Sequence, residues 1–429
     1  GPIPGTVFLG GVFKTVNGTS ARLVLLDASN GSLVQSFSPP SVNGPIFDLD
    51  VYGDQLLIAG TFTNVGGSER LGFASVNVST GALTSYATLS FTGHHRWYEG
   101  SSGQPGGVGA RAIDVHGDRM VVIGNFNSVD GQTRRQVAQV DLSGGSADLI
   151  TSWDTDRFRH ACSTSYDTWV RDVEFSPDGQ RFAVATTGGP FLDTLCDTLS
   201  MWETFESNTD AAPLWVNVSG GDTLYGMSIS DSAVYVGGHE RWANNPDGRD
   251  FASPGAVPRP GIGSMDLLSG ANNDWNPGRN RGKAAYEVHA SDRGLWVGSD
   301  TQTIGTGDTY EIRQRVAFFP AESGKKSATW TAQGVPGYFL TVGSTNEADS
   351  STFFDGTTLA AAEPVDLGDL VAADVRGAFV VDGWLYYGDA DGTLYRSSFD
   401  GASVGAAQAI DPYHDPAWPE YQGLDPELY

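Results

Sequence analysis

The residues best suited to binding or catalysis cluster in four segments that interrupt an otherwise regular sequence. The segments are 92–109, 155–168, 187–202 and 238–260. In or beside them stand His94, His95, Arg96, Trp97, Tyr98, His160, Tyr166, Trp169, His239, Arg241 and Trp242. Aromatic faces stack on the CH groups of a sugar ring while polar edges bond its hydroxyls, so this set indicates carbohydrate binding. The alternative is that the aromatic side chains form small satellite cores that hold long loops in place.

Carboxylates near the same segments offer an alternative, catalytic function. Glycoside hydrolysis needs paired carboxylic acids, and the candidates are Asp167, Glu240, Glu99 and Asp300. The spacing of these residues along the chain does not bring any two of them to a defined distance. A carbohydrate-active hydrolase or lyase is therefore the second hypothesis. No serine-hydrolase, metalloprotease or phosphate-loop motif occurs in the sequence.

Metal-binding patterns are weak. His94, His95, His160 and His239 lack the spacing on one element that would hold a zinc ion. Asp389 and Asp391 form a short acidic turn like a fragment of a calcium loop, but calcium requires about six to eight oxygen ligands. We expect no firm cofactor, with calcium as the remaining candidate.

The elements that must position these side chains are a recurring unit of four short strands. Residues 111–153 show it best, with predicted strands at 112–115, 120–123, 136–141 and 147–153, separated by turns rich in Gly, Asp and Asn. When the units are aligned on their first hairpin turn, the equivalent positions are Phe47, Arg111, Arg171, Tyr225, Tyr286 and Arg376. Antiparallel four-stranded units at such a period are typical of propeller blades.

The sequence therefore predicts an all-β fold, a single β-propeller of four-stranded antiparallel blades. The propeller is expected over 7–410, with seven blades favoured and eight as the alternative. Residues 1–6 are expected to be a lead-in, with Gly1-Pro2 as the remnant of a protease cleavage, and 411–429 an extended tail or linker.

Arginine recurs at the start of three of the predicted inner strands, at Arg111, Arg171 and Arg376. Arginines converging in an acidic protein could clamp a carboxylate or phosphate. The alternative is that each pairs with a neighbouring acid, such as Asp114 or Asp172, and braces the strands.

Composition restricts the classes of partner. The chain carries 51 acidic and 25 basic residues, a net charge of −26. Nucleic acid and anionic membrane surfaces both require a basic footprint, so neither is expected as a partner. No apolar run approaches the roughly 18 residues of a membrane span. Lys is far rarer than Arg, which we attribute to bacterial coding bias.

The two cysteines, Cys162 and Cys196, lie on either side of one predicted hairpin. An even pair in an acidic chain suggests a disulfide and an oxidising compartment. The alternative is two unpaired thiols.

Two stretches, GTFTNVGGSERLGFASVNVSTGAL (60–83) and GNFNSVDGQTRRQVAQVDLSGGSAD (124–148), carry a shared G-x-F-x-x-V-x-G…R pattern. The pattern resembles the delta-60-type repeat propellers of secreted actinobacterial proteins. The segment EFSPDGQRFAVAT (174–186) is similar to the hairpin of the TolB and YVTN propellers. The resemblance implies a propeller fold in a secreted, often multidomain protein, and it implies no catalytic residue.

In a propeller, the link between blades and the loop between the second and third strands emerge on one face. The four long segments would lie on that face, where binding usually resides, while the turns on the other face are minimal. We therefore expect a secreted, monomeric ligand-binding module that recognises carbohydrate or a cell-surface partner. A structural spacer within a larger surface protein is the third hypothesis.

Overall fold

A computed structural model describes residues 3–95, 107–159, 162, 169–188, 194–249, 251–280, 282, 284–305, 311–320, 337–342, 348–354, 363–381, 384–390 and 393–410. The chain divides into two compact units, Gly1–Ala328 and Thr329–Tyr429. Each unit is described by itself, and the prediction of a single domain over 7–410 stays a prediction.

The first unit contains the strands β1 to β30. Those of its first half are β1 (Thr6–Gly10), β2 (Thr15–Val16), β3 (Thr19–Ser20), β4 (Leu23–Asp27), β5 (Ile46–Tyr52), β6 (Gln55–Gly60), β7 (Asn64–Val65), β8 (Ser68–Glu69), β9 (Phe73–Asn77), β10 (Phe91–His94), β11 (Ala110–His116), β12 (Arg119–Gly124), β13 (Phe126–Val129), β14 (Gln132–Thr133), β15 (Val137–Asp141) and β16 (Asp148–Leu149). The remaining strands of this unit are β17 (Val170–Phe175), β18 (Arg181–Thr186), β19 (Thr198–Glu203), β20 (Trp215–Val218), β21 (Leu224–Ile229), β22 (Ala233–Gly238), β23 (Trp242–Ala243), β24 (Val257–Pro258), β25 (Ile262–Asp266), β26 (Ala285–Ser291), β27 (Gly294–Ser299), β28 (Thr303–Ile304), β29 (Glu311–Ile312) and β30 (Val316–Pro320).

The second unit contains β31 (Gly337–Val342), β32 (Ala348–Phe354), β33 (Glu363–Val365), β34 (Val375–Val381), β35 (Trp384–Asp389), β36 (Leu394–Ser398) and β37 (Gln408–Ile410). A one-turn 3-10 helix covers Ala372–Asp374. Among the described residues the rest is strand, turn and loop, so the all-β prediction is confirmed.

The main sheets are antiparallel meanders that follow the chain. Two in the first unit have four strands, β11-β12-β15-β16 and β17-β18-β19-β20, and three have three strands, β5-β6-β9, β21-β22-β25 and β26-β27-β30. The first sheet, β1-β4, has no inner strand among the described residues. The stretch between the predicted strands 120–123 and 136–141 contains a small hairpin, β13-β14, to which β10 adds a third strand. Its counterparts are β2-β3, β7-β8, β23-β24 and β28-β29.

Consecutive sheets pack face to face through apolar side chains. One core cluster joins Leu57 and Phe73 to Ile113 and Met120 of the next sheet. The next joins Val121 of that sheet to aromatic residues that include Phe182 and Trp202. The second strands β6, β12, β18 and β22 are covered on both faces, which explains continuous apolar runs such as MVVI at 120–123.

The innermost strands β5, β11, β17, β21 and β26 lie side by side in chain order, because hydrogen bonds join each to the next. Sheets stacked face to face around adjacent inner strands define a propeller-type fold for the first unit. The number of blades and the closure of the propeller stay predictions.

Candidate functional site

The aligned positions at the start of the inner strands form one continuous row in the first unit. The Arg111 guanidinium lies over the Phe47 ring, 4.6 Å from its centroid. Arg171 lies over Tyr225 at 5.1 Å, and the Tyr225 and Tyr286 rings are 5.1 Å apart. We call these five residues the bulge row. Sequence alignment alone therefore identified residues that the fold brings together.

A recurring backbone irregularity positions the row. The pairing register of the inner strand shifts at this position, between Ile46 and Asp48 in β5 and between Ala110 and Ala112 in β11. The same shift occurs in β17, β21 and β26. The row residue is thus the extra residue of a β-bulge, which bends the strand and re-aims its side chain. In the second unit Arg376 occupies the corresponding bulge, between Val375 and Gly377.

Glycine on the second strand makes room for the bulge. A Cβ atom added at Gly60 would lie 2.2 Å from the carbonyl oxygen of Pro45, and one at Gly124 would lie 2.1 Å from that of Gly109. No side chain fits at such distances, because the backbones approach too closely. The first glycine of the G-x-F pattern is therefore explained by the geometry that aims the bulge row.

The row is accessible to solvent. Phe47 is 37% exposed and Tyr286 is 45% exposed. Arg111, Arg171 and Tyr225 are half-buried. The row therefore offers aromatic rings and guanidinium groups together on one accessible edge.

Directly beyond the row, the same strands carry a set of acids that we call the carboxylate ladder: Asp48, Asp50, Asp114, Asp172, Glu174 and Glu287. The ladder bonds β5 to β11, β11 to β17 and β17 to β21, while the Ser228 hydroxyl accepts from the N–H of Ala290 to join β21 to β26. Asp48 accepts from the backbone N–H of Ile113 at 2.8 Å, and Asp172 accepts from that of Met227 at 2.8 Å.

The remaining rungs of the ladder follow the same rule. Asp114 accepts from the N–H of Phe175, and Glu174 accepts from the Ser228 hydroxyl at 3.1 Å. An inner strand has no further strand beyond it, so its outward N–H groups need acceptors. The carboxylates of the preceding sheet provide them, which is a structural role that sequence reasoning missed.

Burial is the main cause of the pKa shifts in the ladder carboxylates. Burial raises the pKa of Asp48 and of Asp114 to about 7 and that of Asp50 to about 6. It raises the pKa of Asp172 and of Glu174 to about 8. The backbone hydrogen bonds oppose these shifts, while repulsion between neighbouring ladder carboxylates adds to them.

Two of the predicted loop residues that are described, His95 and Trp169, lie inside the protein, while His94, His239, Arg241 and Trp242 are half-buried. His95 is 1% exposed and Trp169 is 2% exposed, with their rings 5.1 Å apart and edge to face. The Nδ1 atom of His95 lies 2.9 Å from the side-chain oxygen of Asn127, and His94 is the last residue of β10. For these residues the geometry matches the alternative in which aromatic groups anchor a long loop.

Cys162 and Cys196 form a disulfide with a Cα–Cα distance of 5.6 Å, which confirms the predicted pairing. Trp169 packs against it in a small separate cluster. The disulfide and Trp169 therefore fasten together two of the long segments that the sequence singled out.

The fourth segment begins with His239, which is half-buried. The side chain of Arg241 forms an ion pair with Asp222, with Nε 2.8 Å from Oδ2. The Arg241 guanidinium lies 4.6 Å from the centroid of the Trp242 ring. This arrangement holds the start of the small hairpin β23-β24 in place.

Two of the predicted catalytic acids are described. Glu240 is 2% exposed, and burial raises its pKa to about 8. Asp300 accepts from the N–H of Ala284 at 3.1 Å and lies 4.0 Å from Arg279. A raised pKa suits a general acid, but a substrate cannot reach a side chain as enclosed as that of Glu240.

The other predicted site residues lie outside the described part of the chain: Arg96, Trp97, Tyr98, Glu99, His160, Tyr166, Asp167 and Asp391. For Arg376 only the backbone is described. Their predicted roles stay predictions.

No group of three or more His, Cys, Asp or Glu side chains among the described residues is arranged to hold a metal ion. Asp389 is the last residue of β35 and accepts from the N–H of Ala390 at 2.5 Å, which is an ordinary turn contact. No helix within the described ranges is long and apolar enough to cross a membrane.

Known proteins share little sequence with this chain. No family model and no curated protein matches the sequence, so the delta-60 resemblance stays a prediction. Among solved structures, BamB from Moraxella catarrhalis shares 11% identity over 92% of this chain and 95% of its own, with a TM-score of 0.39. The Mitotic Checkpoint Complex gives 9% identity over 89% and 83%, with a TM-score of 0.38. The computationally designed protein Ika8 gives 10% identity over 94% and 87%, with a TM-score of 0.37.

Proposed function

We propose that this chain is a secreted ligand-binding module of propeller type that recognises carbohydrate or a cell-surface partner. The bulge row is the main contact surface. The observation that carries the proposal is the recurrence of the same bulge in successive sheets, which brings exposed aromatic rings and arginines together at one edge. Seven closed blades and a disulfide formed in an oxidising compartment complete the proposed protein.

The residue types of the row are better explained by contact with a ligand than by a contribution to the stability of the fold. Phe47 and Tyr286 are only partly buried, so each keeps apolar surface that a ligand could cover. Structural bonding between the inner strands is supplied largely by the carboxylate ladder. The exposed parts of the row therefore lie where a ligand could contact them.

A glycan array and pull-down from cell-surface extracts test the proposal with the wild-type chain and with Phe47→Ala and Tyr286→Ala. Each variant is expected to weaken the binding of any ligand found by about tenfold or more, since it removes an aromatic contact. Phe205→Ala is the matched control, because Phe205 is also exposed, at 55%, but lies next to Arg119 at the other end of the sheets.

Three results would contradict the proposal. Binding that survives both row variants would place the site elsewhere, and Trp242→Ala would then test the fourth segment. The absence of any ligand would support the structural spacer. Turnover of a polysaccharide by the wild-type chain would support the hydrolase or lyase.

A further inference from the structure

We propose that the bulge row selects a carbohydrate that carries carboxylate groups, a chain of uronic acid units, over neutral saccharides. This inference rests on the binding function proposed above and names its ligand class. It is drawn from the order of residues along the row, which is Phe47, Arg111, Arg171, Tyr225 and Tyr286.

The two arginines stand on neighbouring inner strands, β11 and β17, near the middle of the row. The guanidinium carbon of Arg111 lies 4.6 Å from the centroid of the Phe47 ring and that of Arg171 lies 5.1 Å from the centroid of Tyr225, and these contacts restrict the two side chains. A restricted guanidinium loses less side-chain entropy when it meets a carboxylate in the paired, bidentate arrangement. Stacked arginines are thus prepared for a planar anion.

Aromatic rings flank the arginines. Phe47 and Tyr286 stand at the two ends of the row and are its most exposed members. A uronic acid unit carries a carboxylate and an apolar CH face on one ring, so a short chain of such units could bond the arginines and cover the rings. A neutral saccharide would satisfy only the rings, and a bare phosphate only the arginines.

The net charge of −26 makes an anionic ligand unexpected at first sight. The nearest acids are those of the carboxylate ladder, and burial raises the pKa of Asp48 and Asp114 to about 7 and that of Asp172 to about 8, so they are mostly uncharged at pH 6. More distant charges are screened over about 8 Å at physiological ionic strength. Selectivity then depends on these close contacts, and higher salt should weaken the acidic ligand more than a neutral one.

Isothermal titration calorimetry with four defined probes tests this inference. The probes are tetragalacturonate, its methyl ester, a neutral cello-oligosaccharide of the same length, and a tetraglutamate peptide. Tetragalacturonate is expected to bind at least about tenfold more tightly than its ester, because the ester cannot form a charged hydrogen bond with arginine.

Variants connect the selectivity to the arginines. Arg111→Gln and Arg171→Gln should each lose about tenfold in affinity for tetragalacturonate with little change for the ester. Arg119→Gln is the matched control, since Arg119 also stacks on an aromatic ring, that of Phe205 at 5.2 Å, but at the opposite end of the same sheet as Arg111. Thermal unfolding of each variant verifies that it is folded.

The outcomes separate this inference from the proposed function. If the ester and the acid bind equally well and Tyr286→Ala abolishes the binding of both, the selectivity is overturned while the binding function is kept. Binding of tetraglutamate alone would overturn the carbohydrate class. If tetragalacturonate does not bind the wild type, the inference is wrong. It is also wrong if tetragalacturonate binds the folded arginine variants as tightly as it binds the wild type, whatever the glycan array shows.

Discussion

At the scale of single residues, Glu240 stands out as a buried carboxylate where other sheets place phenylalanine. It lies two residues after Gly238, as Phe62 lies after Gly60 and Phe126 after Gly124. Both of its carboxylate oxygens are buried without a hydrogen-bond partner. The nearby Arg279 guanidinium favours its charged form but does not outweigh burial, which raises the pKa of Glu240 to about 8.

We expect Glu240→Gln to stabilise the protein at alkaline pH. The pKa of Glu240 is higher in the folded than in the unfolded chain, so its favourable contribution is complete below about pH 4.5 and is lost as the pH rises through 8. The melting temperature of the variant relative to wild type should therefore rise between pH 5 and pH 9. Glu69→Gln, at an exposed position of β8, is the control.

A constant difference in melting temperature across this pH range would contradict the prediction. It would mean that the charged Glu240 carboxylate gains a partner, a role that Arg279 could take if its side chain rearranged. Calorimetry of both variants at three pH values suffices for the measurement.

At the scale of elements, a repeated arginine joins each small hairpin to its sheet. Arg134 donates to the carbonyl oxygens of Thr133 at 2.7 Å and Ile150 at 3.2 Å. Arg70 makes the same two contacts, with Glu69 and Thr84, and Arg259 makes them with Pro258 and Asn273. The arginine of the G-x-F…R pattern is thus a structural residue that ties the hairpin to the outer edge of the sheet.

Arg134→Lys should destabilise the protein by about 1–3 kcal/mol, because an ammonium cannot reach both carbonyls and buried acceptors are left unpaired. The neighbouring Arg135 provides the matched control. Its side chain is 35% exposed and pairs with Asp156, so Arg135→Lys should change the free energy of unfolding by less than about 0.5 kcal/mol. Denaturant unfolding would measure both, and equal losses would contradict the proposed role.

The disulfide is the other element-scale contact. Its cysteines are 34 residues apart, and closing a loop of that length restricts the unfolded chain by about 2–4 kcal/mol. Replacing both Cys162 and Cys196 by Ser should lower the free energy of unfolding by that amount. Adding a reductant to the wild type should reproduce the loss, and a melting temperature unaffected by either change would show that the bond is dispensable.

At the scale of the whole molecule, the carboxylate ladder makes stability depend on pH. Five of its members, Asp48, Asp50, Asp114, Asp172 and Glu174, have pKa values of about 6 to 8 in the folded protein, against about 4 in an unfolded chain. Groups with raised pKa values contribute fully below about pH 4 and lose their contribution as the pH rises through 6 to 8. As the carboxylates become charged, the repulsion between them grows, although the hydrogen bonds that they accept from backbone N–H groups remain.

We therefore expect the melting temperature to fall between pH 5 and pH 9. Asp172→Asn should reduce this fall, since one ladder charge is removed while an oxygen acceptor for Met227 is kept. Asp54→Asn, at an exposed turn, should leave the pH profile unchanged. A melting temperature that is constant over this range would contradict the electrostatic role assigned to the ladder.

The repeat, the strand pairs and the alignment that contains the bulge row could be predicted from the sequence. Those features follow from local alternation and turn residues, such as the Gly117 turn between β11 and β12, which has a positive φ of 56°. It predicted the disulfide as well, because two cysteines in loops around one hairpin have few alternatives. It missed the hairpin β13-β14, whose polar residues lack the alternation that marks a strand.

Which of these residues face solvent and which face another sheet depends on how the sheets pack in three dimensions. Asp48 and Ile113 are 65 positions apart, and their hydrogen bond exists because successive inner strands lie side by side. The same packing encloses Trp169 and Glu240 while it leaves Phe47 and Tyr286 exposed. Burial is a property of what surrounds a side chain, and in stacked sheets the surroundings come from a neighbouring repeat.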